Sequence, residues 1–564
     1  MKKLILGALA LAGSASMADV RMTTIFADNM ILQQKTSNAV WGFADAGEEV
    51  EVKASWGSSA STTANSDGKW KVMLPTPGHG TGFGLTVKGK NQIDIKNVAI
   101  GEVWLCAGQS NMGWALGMTF GGEEEAESVD LPNFRIYKSA REHWHEPLEE
   151  ARDKMATWKS CKKDSALETS AVSYYFGKKL HQELGIPVGI VVQAFAGTPI
   201  EGWMPKEIQM NDQRTVAGMK QMDEMSEKLK NKGISTEKSL AQHSKELATY
   251  NKRVAAGDIM KNKTKKIAPP IITKPSNLGH QYPSHIFNVM INPIRPYGIK
   301  GAIWYQGERN SKDAAQAINY RKQLALMIDY YRKSWNEMSE GNTDRYFPFQ
   351  FTQLPSWNPA QSQPVEGPEA VWSINREMMR LVTHDIKNAY MSVAIDTGDA
   401  VQLHPKNKKP IGIRHAYLAL KNTYGKDFVD YGPRYKSHEI KGNKIVVSFD
   451  SVGSGMMAAK AGEVNAFAIA GEDQKWHWAE AEIQGDKIVL SSAKVAKPVA
   501  VRYAWAMNSS ERNLLYNKEG IPASPFRTDQ WDLYDSSAEI ITVHKPAKAE
   551  TKATADWKRP VMTQ

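Results

Sequence analysis

The chain predicts a mixed α/β protein: a central domain built on a parallel sheet with helices on both faces, flanked by an N-terminal and a C-terminal β-sandwich-like domain. Three observations carry this expectation. Between about residues 100 and 425, apolar strand-like runs alternate with helical stretches, the pattern of a parallel sheet buried on both faces. On either side of that region, short segments alternate by two and are punctuated by turn residues. At 564 residues with 41% hydrophobic content, 17 Trp and 19 Tyr, the chain also holds material for several cores.

The first eighteen residues stand apart. Lys2 and Lys3 precede the apolar run LILGALALAG and the small-residue end Ser16-Met17-Ala18, the pattern of a secretory signal peptide cut after Ala18. The run is too short to remain as a membrane helix, and Ser14 stands where a lipoprotein signal needs Cys. The mature chain is therefore expected to be exported, periplasmic or extracellular, with no membrane anchor. Its formal charge of +10 falls to +8 without Lys2 and Lys3 and is spread over dispersed lysines and the tail HKPAKAETKATADWKRP. No basic helix interleaved with aromatics accompanies it, which argues against nucleic acid as a partner. Cys106 and Cys161 are the only cysteines, and in an exported chain their pairing stays open. Nothing in the sequence sets the oligomeric state.

Residues 19–99 read as β: Val50, Val52 and Ala54 alternate in EVEVKAS, and Asp67-Gly68 makes a hairpin turn in SDGKWKVML. Residues 100–428 form the α/β domain, with strands in EVWLCA, GIVVQAF, KGAIWYQ, PFQFTQL and AYMSVAI. In the stretch YRKQLALMIDYYRKSW, Tyr320, Leu324, Met327 and Tyr331 recur at helical spacing and predict one buried face. Residues 206–262 interrupt this domain with a polar helical pair broken at Gly233 and capped by Ser235. The Met219, Met222, Met225 stripe there reads as packing. Alternation returns over 429–543 as a second β domain, and 544–564 reads as a disordered tail.

In a parallel α/β sheet, chemistry gathers at the carboxyl ends of the strands. Ser110 follows the first central strand in GEVWLCAGQSNM. A serine hydroxyl attacks only when a base takes its proton and donors stabilise the resulting oxyanion. GQSNM is not the G-x-S-x-G elbow, because Met112 occupies the second glycine position. His404, in the polar loop DTGDAVQLHPKNK after AYMSVAI, is the histidine placed at the same sheet edge. Asp396 and Asp399 precede it and are candidates to orient its ring, or simply strand-end residues. Gly197 in AGTPIEGWM, and Gln306 and Asn310 in WYQGERN, are candidate oxyanion donors or turn formers. His285 and His415 read as core-adjacent, and His143 and His145 in HWHE are at best a weak metal match, so no metal is expected.

Taken in order, GQSNM, GTPIEGWM, WYQGERN and LHPKNKKPIGIRHA resemble the sialate O-acetylesterase family of SGNH (GDSL-like) hydrolases. The flanks are similar too: FADNMILQQ with VWGFADAGEEVEV resembles that family's N-terminal β domain, and PVAVRYAW with NKEGIPASPFRTD its C-terminal one. The resemblance implies a three-layer α/β/α esterase domain that removes O-acetyl groups from carbohydrate through serine, without cofactor or metal. Carried over by position, Ser110 is the nucleophile and His404 the general base. The Ser110 amide, Gly197 and an amide side chain from Gln306 or Asn310 form the oxyanion hole. Trp203 and Glu308 are candidates to touch the sugar. Such hydrolases often have Asp three residues before the histidine; here that residue is Val401, which leaves Asp399, Asp396 or a backbone carbonyl to hold the ring. Phe195 and Ala196 stand where the family tends to have Trp-Gly. The alternative reading is a non-catalytic glycan-binding protein that stacks sugars on tryptophans such as Trp203 and Trp304.

Overall fold

The computed structural model describes residues 19–153, 155–230 and 279–533. The expected leader, the expected tail and the Gly233 and Ser235 helix break lie outside them. Seven strands form the central sheet: β1 (Gln92–Gly108), β2 (Asp130–Lys138), β3 (Trp158–Lys162), β4 (Val188–Ala194), β5 (Gly301–Tyr305), β6 (Phe349–Thr352) and β7 (Ala389–Ser392). Their spatial order is β3-β2-β4-β1-β5-β6-β7. All neighbours run parallel except β3, an antiparallel edge that the expectation of a parallel sheet lacked.

The near-continuous apolar runs are explained by burial on two faces. Trp104 and Cys106 of β1, with Ile190, Val192, Ile303 and Tyr305, join one core with helices α1 (Ala171–Leu184) and α4 (Lys409–Asn422). The alternating set Val103, Leu105, Ala107, Val191, Ala302 and Trp304 joins the other, with α2 (Ala314–Met338) and α3 (Val371–Asp385). Tyr320, Leu324, Met327 and Tyr331 all lie on the buried face of α2, as their spacing predicts. Ser170 caps α1 by accepting from the Ser173 amide, and Asp313 caps α2 by accepting from that of Gln316.

β1 belongs to two structures at once. Its first half pairs with Gly80–Lys88 and Ile31–Gln33 of the N-terminal region, and its second half runs between β4 and β5. The expected boundary at residues 99 and 100 therefore falls inside one continuous strand. The C-terminal region holds two four-stranded antiparallel sheets, one around Lys444–Asp450 and one around Ala500–Tyr503. It is tied to the centre by Arg376, fully buried, whose guanidinium donates to the carbonyls of Leu354, Pro355, Ala506 and Met507. Both cysteines are free and buried, and burial pushes each thiol up to about 12.

Candidate active site

The sheet ends the first strand abruptly. Gly108 takes φ of 150°, and a methyl group there would lie 2.2 Å from the Tyr305 carbonyl oxygen, so glycine lets β1 and β5 stay paired to their ends. The Gln109 amide donates to Tyr305 O at 3.0 Å and the Gly113 amide to Gln109 O at 2.9 Å, which closes residues 109–113 into one turn carrying Ser110. Met112, the residue that breaks the elbow pattern, is buried, with its sulfur accepting from Ser170 and Ser173 hydroxyls at 3.6 and 3.5 Å. It anchors the turn on α1.

His404 lies between β7 and α4, and its Nε2 is 2.8 Å from Ser110 Oγ. Trp114, one helical turn beyond Ser110 in sequence, stacks on the imidazole with centroids 4.7 Å apart and planes 13° from parallel. Partial burial, and secondarily the Lys408 ammonium, hold His404 below the ordinary histidine range. A ring so placed stays neutral near pH 7 and can take the serine proton.

Neither expected acid reaches that ring. Asp399 Oδ1 accepts from the amides of Val401 and Gln402 at 2.8 and 2.7 Å, closing its own turn. Asp396 is paired with Arg414 and accepts from Tyr516 Oη. The choice of Asp399, with Asp396 second, is corrected: neither carboxylate hydrogen-bonds to the His404 ring, and Ser110 and His404 meet as a pair.

The donors divide in the same way. Gly197, at φ 72° after β4, and Ser110 are residues whose amides donate no hydrogen bond among the described residues. Gln306 instead spends both of its side-chain N–H groups, on Thr198 O at 3.2 Å and Asn310 Oδ1 at 2.8 Å. Asn310 accepts from the Ile200 amide and donates to Glu201, each at 2.8 Å. In this structure these two side chains brace the segment after Gly197, while the Ser110 and Gly197 amides stay undonated.

Residues 100–248 match the family described as carbohydrate esterase, sialic acid-specific acetylesterase. The chain is 26% identical to mouse sialate O-acetylesterase over 89% of its length and 93% of that protein. It is 25% identical to the human sialate O-acetylesterase over 90% of its length and 92% of that protein. A solved carbohydrate acetylesterase from Xanthomonas citri superposes with a TM-score of 0.73 at 29% identity, over 91% of this chain and all of that one. The chain is similar to the sialate O-acetylesterases over most of its length.

The esterase is thus a carboxylic ester hydrolase of carbohydrate-deacetylating kin. Two expected substrate contacts are corrected by burial. Trp203 is 0% exposed, packed edge-on against the equally buried Trp304 and donating to Thr198 Oγ1, so neither ring can stack on a sugar. Glu308 is buried, and its carboxylate accepts from Asn111 Nδ2. His285 is buried, and His415 is bonded to Thr352. Sequence reasoning missed Trp114, although its place four residues after the serine was a usable signal. It also missed Arg141, exposed on the loop after β2, whose Nη2 lies 3.7 Å from where a Gly113 methyl would be. His280 stacks on Phe195 at 4.9 Å and walls the Gly197 turn. Among the described residues no group of three or more His, Cys, Asp or Glu is placed to hold a metal ion.

Proposed function

We propose that this esterase removes O-acetyl groups from carbohydrate through an acetyl-serine intermediate. The observation that carries the reading is the 2.8 Å contact between Ser110 Oγ and His404 Nε2 beside two undonated amides. Ser110 Oγ attacks the acetyl carbon while His404 Nε2 takes its proton. The tetrahedral oxyanion accepts from the Ser110 and Gly197 amides. The imidazolium then protonates the departing sugar oxygen, leaving acetate esterified to Ser110. His404 next deprotonates a water that attacks this ester, and acetate leaves as the serine regains its proton. Among sugars, O-acetylated sialic acid is the leading substrate: the curated relatives are named for it, and the Arg141 guanidinium, without a carboxylate partner among the described residues, suits an anionic sugar at the rim. The glycan-binding alternative loses Trp203 and Trp304 to the core.

The test is acetate release from O-acetyl sialic acids set beside acetylated xylan and pectin, with acid-quenched protein mapped for an acetyl group. Acetate release with the label on Ser110 is the expected result. Glycan binding without release, or a label elsewhere, would overturn the reading.

Because His404 is held low, kcat/KM should fall on the acid side with a midpoint below the ordinary histidine value of about 6.5. The sign follows from the role, since the base works only when neutral and a depressed pKa extends that form to lower pH. A midpoint above the ordinary value in the pH profile would count against the assignment.

Export belongs to the same proposal. The form recovered outside the cytoplasm should begin at Asp19 on N-terminal sequencing. Recovery of a chain still beginning at Met1 would refute the leader reading.

A further inference from the structure

The mechanism leaves a buried pair of opposite charges unused. Asn111, immediately after the nucleophile, is 0% exposed. Its Oδ1 accepts from Lys408 Nζ, and its Nδ2 donates to Glu308 Oε1. The same Nδ2 lies 3.3 Å from the carbonyl oxygen of Leu403, the residue immediately before His404. Lys408 is buried, with Nζ 5.2 Å from the Tyr305 ring centroid, and is not paired directly with a carboxylate: the amide stands between ammonium and carboxylate. One side chain thus connects the serine turn to the histidine loop, and two charges grip it.

We propose that Lys408 and Glu308 are positioning residues that hold the Asn111 amide in the one orientation joining the nucleophile turn to the His404 loop. The reason is chemical. An amide's two ends have nearly the same shape, so packing alone discriminates poorly between an orientation and its flip. An ammonium accepts only an oxygen lone pair as a partner and a carboxylate only a donor. With Lys408 at one end and Glu308 at the other, a flipped Asn111 would face its N–H groups to the cation and its oxygen to the anion. It would also lose the contact with Leu403 O. Lone charges at these depths are costly, so each is retained because the other, through the amide, compensates it. Burial pushes the Glu308 carboxyl up and brings the Lys408 amine down to about 7, which marks both as deeply desolvated.

This inference rests on Ser110 and His404 being nucleophile and base, and its test separates the two. Lys408→Met, Glu308→Gln and Asn111→Ala are compared in a double-mutant cycle on p-nitrophenyl acetate, with thermal unfolding recorded for each. Lys408→Met should lower kcat by on the order of 10²-fold with little change in KM, the loss expected when a reacting pair is displaced by about 1 Å. In the Asn111→Ala background Lys408→Met should lower kcat no further, because its effect passes through that amide. Should Lys408→Met not fold, Lys408→Gln, which keeps a donor without the charge, takes its place. Folded variants with wild-type kcat, or losses that add in the Asn111→Ala background, would overturn the proposal. Wild-type turnover that survives Ser110→Ala would instead overturn the nucleophile assignment on which it stands.

Discussion

Replacing Ser110 by Ala should lower kcat by about 10⁴- to 10⁶-fold, His404→Ala should cost nearly as much, and the double variant should be no slower than the worse single one. The lack of additivity follows from the 2.8 Å contact: a hydroxyl without its base is a poor nucleophile, and a base without the hydroxyl has nothing to activate. Whatever acceleration survives belongs to the donors. Ser110 is half-buried and His404 lies on a loop, so neither truncation opens a core cavity and unfolding temperatures should stay close to wild type. Burst and steady-state release of p-nitrophenol measure the effect. Retention of more than about 1% of wild-type kcat in Ser110→Ala would rule out the nucleophile, since removing such a group costs at least about 10⁴-fold.

Gly108→Ala should damage stability and activity together. Its φ of 150° lies where side chains are strained, and its added methyl would sit 2.2 Å from the Tyr305 carbonyl oxygen and 3.0 Å from Met112 Cβ. The obstacle is backbone rather than the end of a flexible side chain, so β1 and β5 must part at their ends. Overpacking of this kind costs roughly 1–3 kcal/mol, and unfavourable backbone adds about 1–3 kcal/mol more. The parting also releases the Gln109 amide from Tyr305 O, the bond that starts the Ser110 turn. A loss of about 10²-fold in kcat is expected from misplacement on the order of 1 Å. Thermal unfolding and kcat on one preparation check both effects, and a variant with wild-type values in each would show that the strand end tolerates separation.

The central sheet was legible because strands buried on both faces leave long unbroken apolar runs, and such runs end where the polar residues begin. Ser110, Gly197, Gln306 and His404 were legible as residues at those ends. The two aspartates were not assignable in the same way. Asp399 has the right type and place, but its oxygen closes a turn onto two amides, and no residue pattern distinguishes that from an oxygen aimed at a histidine. Trp203 misled for a related reason: a tryptophan beside a polar motif reads as surface, while the 3₁₀ turn Ile200–Trp203 swings its ring inward against Trp304. The side chain of Asn111 could not be read at all, because its partners lie 197 and 297 positions away.

The boundary expected at residues 99 and 100 falls inside β1 for a physical reason. β1 begins with alternating exposure and finishes with eleven consecutive buried residues, so its sequence changes character while its backbone does not. A single extended span of 17 residues leaves the N-terminal β region and stops two positions short of Ser110. No linker lies there to act as a swivel. The leading β region is consequently the butt of the rod on whose tip Ser110 is mounted, and any rearrangement at that end must carry both together.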